Sequence, residues 1–400
     1  MNLLNTLNSL PPDPILGVIA AFEADDNPEK IDLGVGVYRD AQGDTPILPS
    51  VLKAEQLLLD TQITKTYLGP AGVPGFNQAM SELLFGANHP VLEAGRVRTI
   101  QTPGGTGALR LAADLIQAAR PGSTVWASQP TWANHLAIFP AAGLSMREYP
   151  YFDAECSELR FEAMMSSLEE VNERDVVLFH ACCHNPSGVS PTPAQWEDIA
   201  NRVAERGCTP LVDIAYMGFE TGIEEDTLLV RLLAERCPEL IVASSCSKNF
   251  AMYRERVGAI SVMTESAHKT SDVISVVNNL SRKNYSMPPA HGPAVIDIIL
   301  NSDELSAMWR GEVREMRERI NQLRRDLAVK LNAASAGRDF SFLARQSGMF
   351  SFLGLSPEQV QRLSDEYSIY TVSSSRINIA SFNAGNMDYF VSALTDIIAS

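Results

Sequence analysis

Short apolar runs alternate with amphipathic stretches through the middle of the chain. This pattern predicts an α/β fold in which helices cover both faces of a largely parallel sheet. The candidate strands are residues 124–127, 176–179, 210–213, 240–243 and 259–262. Between them lie helical patterns such as residues 194–206, which begin beside Pro193, a residue favoured near helix starts.

The clearest helical pattern spans about residues 302–334, after Asn301 and with Glu304 in position to complete a cap. Apolar residues recur at spacings of three and four and form one stripe. The stripe comprises Leu305, Met308, Trp309, Val313, Met316, Ile320, Leu323, Leu327 and Leu331. This length indicates a spine that joins two domains, and a coiled-coil seam is the alternative.

Composition narrows the classes of function. The 400 residues are long enough for two domains, and 45 % hydrophobic with 20 % charged residues is typical of a soluble globular protein. The net charge of −16 argues against nucleic acid or an anionic membrane surface as a partner. No apolar run approaches the ~20 residues that cross a bilayer.

The cysteine pattern and the amino terminus bear on the compartment. Six cysteines are scattered without a CxxC spacing, which predicts reduced thiols and no metal site. No arginine precedes Arg39, so we expect neither a secretory signal nor a transit peptide. Together these features predict a cytoplasmic protein.

A lysine follows the apolar run at residues 240–243. Lys248 comes after small hydroxylated residues and before Arg254 and Arg256. A strand that ends in this way presents the lysine to the cleft at the carboxyl edge of a parallel sheet. Desolvation and nearby cations lower a lysine pKa, so that the neutral amine attacks a carbonyl. The alternative is a surface lysine in a basic loop.

Two further patterns fit the same cleft. The glycine-rich residues 104–107 precede a helical run, where backbone N–H groups can approach a phosphate, although such a turn is more often only structural. Asp213 ends an apolar strand, which is a poor place for an unpaired carboxylate. It either pairs with a cation or caps the next helix.

Ten short motifs follow one another along the chain. They are residues 13–17 (DPILG), 33–38 (LGVGVY), 67–69 (YLG), 101–107 (QTPGGTG), 182–188 (CCHNPSG), 213–216 (DIAY), 244–258 (SSCSKNFAMYRERVG), 284–289 (NYSMPP), 348–351 (GMFS) and 374–376 (SSR). Their order resembles that in the fold-type I, pyridoxal-phosphate-dependent aminotransferases, in the aspartate and aromatic amino acid subgroup. The resemblance implies a mostly parallel seven-stranded sheet flanked by helices, plus a smaller α/β domain.

The resemblance also implies roles for individual residues. Lys248 would form the Schiff base with pyridoxal phosphate and move the proton, while Asp213 would pair with the pyridine nitrogen. Tyr216 and Asn185 would donate to the phenolic oxygen. The other implied cofactor contacts are Gly105, Thr106, Ser245 and Arg256 at the phosphate, Trp132 on the ring, and Tyr67 from a partner subunit. His135 and His180 would surround Asp213, or else be structural.

Substrate binding would depend on arginines, because a planar guanidinium binds a carboxylate bidentately. By resemblance, Arg376 takes the α-carboxylate, and Arg282 of the partner subunit takes the distal carboxylate. Trp132 and Asn185 would also contact the substrate, and Gly36 would leave room for it. A site shared in this way implies a homodimer. The implied parts are an arm at 1–12, a large domain at 46–315, and a small domain at 13–45 and 316–400.

The predicted activity is transfer of the amino group of aspartate, of aromatic amino acids, or of both to 2-oxoglutarate. The route would be ping-pong, with the cofactor alternating between pyridoxal and pyridoxamine phosphate. Thr66 and Met287 replace asparagines usual in aspartate enzymes, and Met217 replaces a glutamine, which favours a more apolar mouth and dual specificity. The alternatives are a strict aspartate enzyme, pyridoxal-dependent elimination or decarboxylation, a cofactor-free Schiff-base enzyme, and a non-enzymatic binding module.

Overall fold

A seven-stranded sheet forms the centre of the molecule. The computed structural model describes residues 3–9, 14–334 and 338–399. The strands of the sheet are β1 (Val97–Pro103), β2 (Thr124–Gln129), β3 (Ser145–Pro150), β4 (Val176–His180), β5 (Thr209–Ile214), β6 (Leu240–Ser245) and β7 (Val257–Met263). Their order across the sheet is β1-β7-β6-β5-β4-β2-β3, and only β7 among these seven runs antiparallel to its neighbours. All five candidate strands lie within it, so the α/β prediction is confirmed.

Helices pack against the sheet, against the small strand pairs and against one another. They are α1 (Pro14–Ala24), α2 (Pro49–Thr61), α3 (Pro74–Phe85), α4 (Pro90–Glu93), α5 (Gly104–Ala119), α6 (His135–Ala141), α7 (Phe161–Leu168), α8 (Pro193–Arg206), α9 (Leu228–Arg236), α10 (Ala267–Asn284), α11 (His291–Leu300), α12 (Asp303–Ala334), α13 (Phe342–Arg345), α14 (Pro357–Tyr367) and α15 (Met387–Ala399). Short 3₁₀ turns cover Leu3–Thr6, Glu225–Thr227 and Ile379–Ser381. Helix α8 begins with a reciprocal cap between Thr192 and Gln195, as its Pro193 start favours.

Every residue of β4, β6 and β7 is buried. This explains why these strands are continuous apolar runs in the sequence rather than alternating patterns. Helix α5 packs against β1, β6 and β7. The polar residues that do occur, such as Asp213 near the end of β5, therefore meet at the carboxyl edge of the sheet.

Three small strand pairs complete the fold. Ile31–Asp32 pairs in parallel with Ile369–Tyr370, and Phe350–Phe352 pairs antiparallel with Arg376–Asn378. A third pair joins Phe152–Asp153 to Glu158–Leu159. The first pair brings an early segment against the carboxyl-terminal region, which agrees with a small domain built from 13–45 and 316–400, although those boundaries stay a prediction. Of the predicted arm, residues 1, 2 and 10–12 lie outside the described residues, as does Asp13.

Helix α12 has the position and length that the sequence predicts. Its buried residues include the predicted stripe, except for Met308, which is half-buried. The predicted cap is wrong in detail. Ser302 accepts the hydrogen bond from the Leu305 N–H at 3.3 Å, whereas Asn301 closes helix α11. Among the described residues, no helix combines the length and apolarity of a bilayer-spanning segment.

Trp309 connects α12 to the segment that follows β6. Its indole is fully buried and stacks on Phe250, with ring centroids 4.4 Å apart and an angle of 7° between the planes. Its Nε1–H donates to the carbonyl of Asn249 at 2.7 Å. The long helix therefore fixes the backbone directly after Lys248.

Replacing this anchor should destabilise the fold. We expect Trp309→Ala to lower the free energy of unfolding by about 3–5 kcal/mol, because it opens a cavity and leaves a buried carbonyl unpaired. Val329→Ala is the control, since Val329 lies on the same helix and is 69 % exposed. Urea denaturation measures both. A loss below about 1 kcal/mol for Trp309→Ala would contradict this role.

Candidate active site

One cleft at the carboxyl edge of the sheet collects most of the predicted site residues. In register, His180 of β4 lies beside Asp213 of β5, and Asp213 lies beside Ala243 of β6. The predicted residues that line the cleft are Gly36, Gly105, Thr106, Trp132, Asn185, Asp213, Tyr216, Ser245, Lys248, Arg256 and Arg376. They come from distant parts of the chain, and the parallel strands bring them to one edge.

Lys248 lies in the cleft directly after β6. It is half-buried, and its Nζ lies 4.9 Å from the centre of the Tyr216 ring. Burial lowers the pKa of Lys248 to about 8, and the positive charges of Arg256 and Arg376 act in the same direction. The negative charge of Asp213 opposes them. A substantial fraction of Lys248 is therefore the neutral amine near physiological pH.

Asp213 is a buried carboxylate held by a histidine. Its Oδ2 lies 3.0 Å from His135 Nε2, which must carry the proton because an ionised carboxylate only accepts. Burial alone would raise the pKa of Asp213. The hydrogen bond from His135, together with the effects of His180 and Lys248, nevertheless holds that pKa below its ordinary value. Asp213 therefore stays ionised.

A buried hydroxyl extends this contact. Thr131 Oγ1 lies 2.9 Å from His135 Nδ1 and 3.0 Å from His180 Nε2. Burial lowers the pKa of His180 to about 3, so its imidazole is neutral. The Trp132 ring meets His135 edge-to-face at 5.3 Å. His135 thus contacts Asp213 directly, as predicted. His180 is linked to His135 through the Thr131 hydroxyl. Sequence reasoning missed Thr131.

The start of helix α5 forms a cradle with the loop after β6. A Cβ on Gly105 would lie 3.0 Å from Ser245 Cβ, and one on Gly104 would lie 2.4 Å from Arg256 Nη2. Gly104 also has φ of +72°. The first turn of α5 has no side-chain cap, so its N–H groups are available to an anion.

Ser247 also lines this cradle and was missed by the sequence reasoning. Its Oγ accepts from Arg256 Nη1 at 3.4 Å and lies 3.2 Å from Ser245 Oγ. The available signal was a second hydroxyl two residues after Ser245 and directly before Lys248. Two hydroxyls, a guanidinium and a helix start together make a site suited to a phosphate.

Arg376 is a buried cation with spare donors. It is 6 % exposed, and its Nη2 donates to the Gly34 carbonyl at 2.7 Å. Its Nη1 lies 3.4 Å from Asn185 Oδ1, and its guanidinium lies 4.2 Å from the centre of the Phe350 ring. Its Nε is buried without a hydrogen-bond partner, and no carboxylate of the described residues forms an ion pair with it. The arrangement suits a carboxylate ligand.

Two predicted residues lie outside the cleft of this chain. Tyr67 is 89 % exposed, and Arg282 is exposed near the end of α10. Neither is among the residues that line the site. The interpretation of Met217 as part of an apolar mouth is wrong, because that side chain is buried and does not line the cleft.

Known proteins are similar to this chain over nearly its whole length. Residues 28–394 match the family model for class I and II aminotransferases. The chain is 48 % identical over 396 residues to the aspartate aminotransferase of Salmonella typhi, which covers 99 % of this chain and 100 % of that relative. The chain belongs to the class I and II aminotransferases.

The relatives of this aminotransferase include enzymes for aromatic substrates. It is 47 % identical over 390 residues to an aromatic-amino-acid aminotransferase of Pseudomonas aeruginosa, which covers 98 % of each chain. It also matches the crystal structure of the Burkholderia pseudomallei aromatic-amino-acid aminotransferase covalently bound to pyridoxal phosphate. That match has a TM-score of 0.97 and 42 % identity, and it covers 99 % of this chain and 100 % of the other. The resemblance seen in the motifs and the predicted fold type are confirmed.

The titration of Lys248 is a direct test of the site's electrostatics. In the cofactor-free enzyme, we expect labelling of Lys248 by an amine-selective reagent to rise with a midpoint near pH 8 rather than the ordinary 10.5. Asp213→Asn should move that midpoint to lower pH, because it removes the charge that favours the ammonium form. Mass spectrometry at a series of pH values measures both.

The lowered pKa of Lys248 also determines the direction in which this residue's contribution to stability changes with pH. Between pH 8 and 10.5, the unfolded chain binds the Lys248 proton more tightly than the folded chain does. Lys248 alone therefore makes a contribution to the free energy of unfolding that rises with pH through that window, and Lys248→Met should remove it. The difference between the two denaturation profiles isolates this contribution from that of the buried thiols, whose raised pKa values act in the opposite direction. A labelling midpoint near pH 10.5 in the wild-type enzyme would show that the pKa of Lys248 is not lowered in the cleft.

Proposed function

We propose that this aminotransferase moves the amino group of aspartate and of aromatic amino acids to 2-oxoglutarate, with pyridoxal phosphate as its cofactor. The observation that carries the proposal is that two groups share one cleft. They are Lys248, whose pKa is about 8, and Arg376, a buried cation that lacks a carboxylate partner among the described residues. Relatives for both substrate classes support it, since each is about equally similar to this chain.

The cleft fits the cofactor at each of its functional groups. The cradle of Gly105, Ser245, Ser247 and Arg256 suits the phosphate, as argued above. When bound, pyridoxal phosphate carries the amino group and withdraws electrons from the substrate Cα. The buried, ionised Asp213 is suited to hold a protonated ring nitrogen.

Lys248 is the proposed catalytic base. With a pKa near 8, its amine is neutral often enough to take the proton from the substrate Cα. The ammonium group formed in this way can then give the proton up again. The Tyr216 ring beside it limits the positions open to Nζ. Burial keeps that pKa low, and the nearby cations Arg256 and Arg376 add to the effect.

Tyr216 and Asn185 are the proposed hydrogen-bond donors to the cofactor's phenolic oxygen. Burial raises the pKa of Tyr216, so it remains a phenol that can donate. Asn185 Oδ1 accepts from Arg376 Nη1 at 3.4 Å, which leaves the amide NH₂ group to donate. Trp132, held edge-to-face by His135, is suited to stack on the cofactor ring.

Arg376 is proposed to bind the α-carboxylate, with Gly36 leaving room beside it. A Cβ on Gly36 would lie 2.8 Å from Phe350 Cζ, so any side chain there would crowd the ring under Arg376. Two parallel N–H donors fix both the position and the orientation of a carboxylate. This orientation fixes where the substrate Cα lies relative to Lys248.

We propose that two copies of the chain share their sites, with Tyr67 and Arg282 reaching the partner's cleft. Their exposure in one chain supports this. So do several large apolar side chains that are exposed on and after α2, a pattern typical of an interface. These are Leu52, Leu57, Leu59 and Ile63. We place the enzyme in the cytoplasm, which agrees with six cysteines that are all free thiols.

Turnover tests the assignment. We expect the enzyme loaded with pyridoxal phosphate to form glutamate from 2-oxoglutarate with either aspartate or phenylalanine as donor. Lys248→Ala should lower kcat by at least ~10³-fold, because both the covalent attachment and the base are lost. A coupled glutamate assay measures this. Full turnover by Lys248→Ala, or release of ammonia or carbon dioxide instead of glutamate, would reject the proposal.

Arg282 should separate the two substrate classes. We expect Arg282→Ala to lower kcat/KM for aspartate by about 10²-fold or more, since a desolvated charge pair with the distal carboxylate is lost. The value for phenylalanine should change by less than about threefold. Lys283→Ala is the matched control, because Lys283 is the neighbouring exposed cation. Equal losses with both substrates would contradict the role of Arg282, and a loss confined to the control would reassign it.

A further inference from the structure

One carboxylate holds both ends of the turn that carries Asn185. Glu220 Oε2 accepts a hydrogen bond from the Cys183 N–H at 2.6 Å and another from the Ser190 hydroxyl at 2.8 Å. These two donors bracket Asn185 in the sequence. Glu220 lies after β5, 30 or more residues away, and belongs to none of the motifs. Its contacts are therefore a property of the fold that the sequence did not reveal.

A histidine braces the inside of the same turn. His184 Nε2 lies 2.8 Å from Ser128 Oγ, and its Nδ1 lies 2.8 Å from Ser187 Oγ. The imidazole is fully buried and stacks on Tyr151, with centroids 3.9 Å apart. Burial holds the pKa of His184 well below its ordinary value, so the ring is neutral and each nitrogen has one hydroxyl partner. Asn185 is thus preceded by a fixed residue.

The turn needs these bonds because its backbone is strained. Cys183 has φ of +48°, a conformation that costs a non-glycine residue about 1 kcal/mol or more. Gly348 packs so closely that a Cβ on it would lie 2.4 Å from Cys183 Cβ. The turn therefore packs closely against a residue that has no side chain. The Cys183 N–H, which the left-handed conformation turns toward Glu220, is the point at which it is held.

Metal binding does not explain Glu220 as well. The side-chain ligand atoms of Cys182, Cys183 and Glu220 all lie within 4.8 Å of one another. However, Oε2 already accepts two hydrogen bonds. The hydrogen bond to Cys183, together with burial, raises the pKa of the Cys182 thiol, and burial raises the pKa of the Cys183 thiol. The contacts that exist are hydrogen bonds to the turn, and they direct the interpretation to Asn185.

We propose that Glu220 is a positioning residue that holds this turn so that Asn185 faces Arg376. Asn185 Oδ1 lies 3.4 Å from Arg376 Nη1, and no bond joins Glu220 to either residue. Glu220 therefore acts on Asn185 through the backbone between Cys183 and Ser190. The inference rests on the proposed carboxylate-binding role of Arg376.

Loss of the acceptor should weaken carboxylate binding. We expect Glu220→Ala to raise the KM for aspartate and the Kd for succinate about tenfold each, with kcat changed less, because Asn185 and Arg376 hold the carboxylate throughout the reaction. Succinate has no amino group, so calorimetry on the loaded enzyme measures binding without turnover. Glu220→Gln should stay within about threefold of the wild type, because the amide oxygen still accepts both bonds.

Two comparisons separate positioning from general destabilisation. Glu225→Ala, an exposed acid in the same loop, should leave KM and the succinate Kd unchanged. In a double-mutant cycle with Asn185→Ala, the effect of Glu220→Ala should nearly vanish, because a residue that acts through Asn185 adds nothing once that amide is gone. The thermal midpoint of each variant shows whether it is folded at the assay temperature.

The outcomes are distinct. If wild type binds succinate while Glu220→Ala binds it equally well, or if the cycle is additive, the positioning role is overturned. If wild type itself fails to bind succinate, the assignment of Arg376 fails instead. A Glu220→Gln variant as impaired as Glu220→Ala would also overturn the proposal, since it would make the charge, rather than the two hydrogen bonds, the important property.

Discussion

Two buried charges of opposite sign set the conditions for everything else in the cleft. Asp213 lies near the end of β5, and Lys248 follows the neighbouring parallel strand β6, so the sheet itself brings them to one edge. Removing a charged group from water is costly unless the group gains a partner or its pKa shifts toward the neutral form. His135 keeps Asp213 ionised through a 3.0 Å hydrogen bond. Lys248 has no such partner, and its pKa falls to about 8 instead.

Two buried arginines, Arg324 and Arg376, differ in how many of their donors already have hydrogen-bond partners. Arg324 of α12 is fully buried, and its donors are taken up by the carbonyls of residues around Gly348 and by the Ser351 hydroxyl. It organises the loop that leads into Phe350. Arg376 packs over that same Phe350 but keeps a buried Nε without a partner. Arg324, with its donors taken up, supports the wall of the cleft. Arg376 retains an unpartnered donor, which suits the binding of a carboxylate.

The predictions that succeeded from the sequence are those with local causes. Continuous apolar runs located the buried strands, and the three-four spacing located α12, because burial on one or both faces determines both patterns. Lys248 and Asp213 were found because polar residues directly after buried strands must lie at the sheet edge. Arg376 and Asn185 were assigned only through the resemblance of their motifs.

What the sequence did not reveal depends on contacts between distant segments. Thr131 and Glu220 each contact two residues, at least one of which is 30 or more positions away in the chain, and no periodicity marks such partners. Met217 was misplaced because its position next to a motif does not specify which way its side chain points. Tyr67 and Arg282 lie outside the cleft of one chain, so the roles proposed for them require a second copy.

The most direct test of the central claim is a single-turnover experiment on the enzyme loaded with pyridoxal phosphate. Excess aspartate or excess phenylalanine is mixed in separately, without 2-oxoglutarate, and the absorbance of the bound cofactor is followed. The account predicts a rapid and complete spectral change with both amino acids, which 2-oxoglutarate then reverses. A stably bound cofactor whose spectrum neither amino acid changes would contradict it.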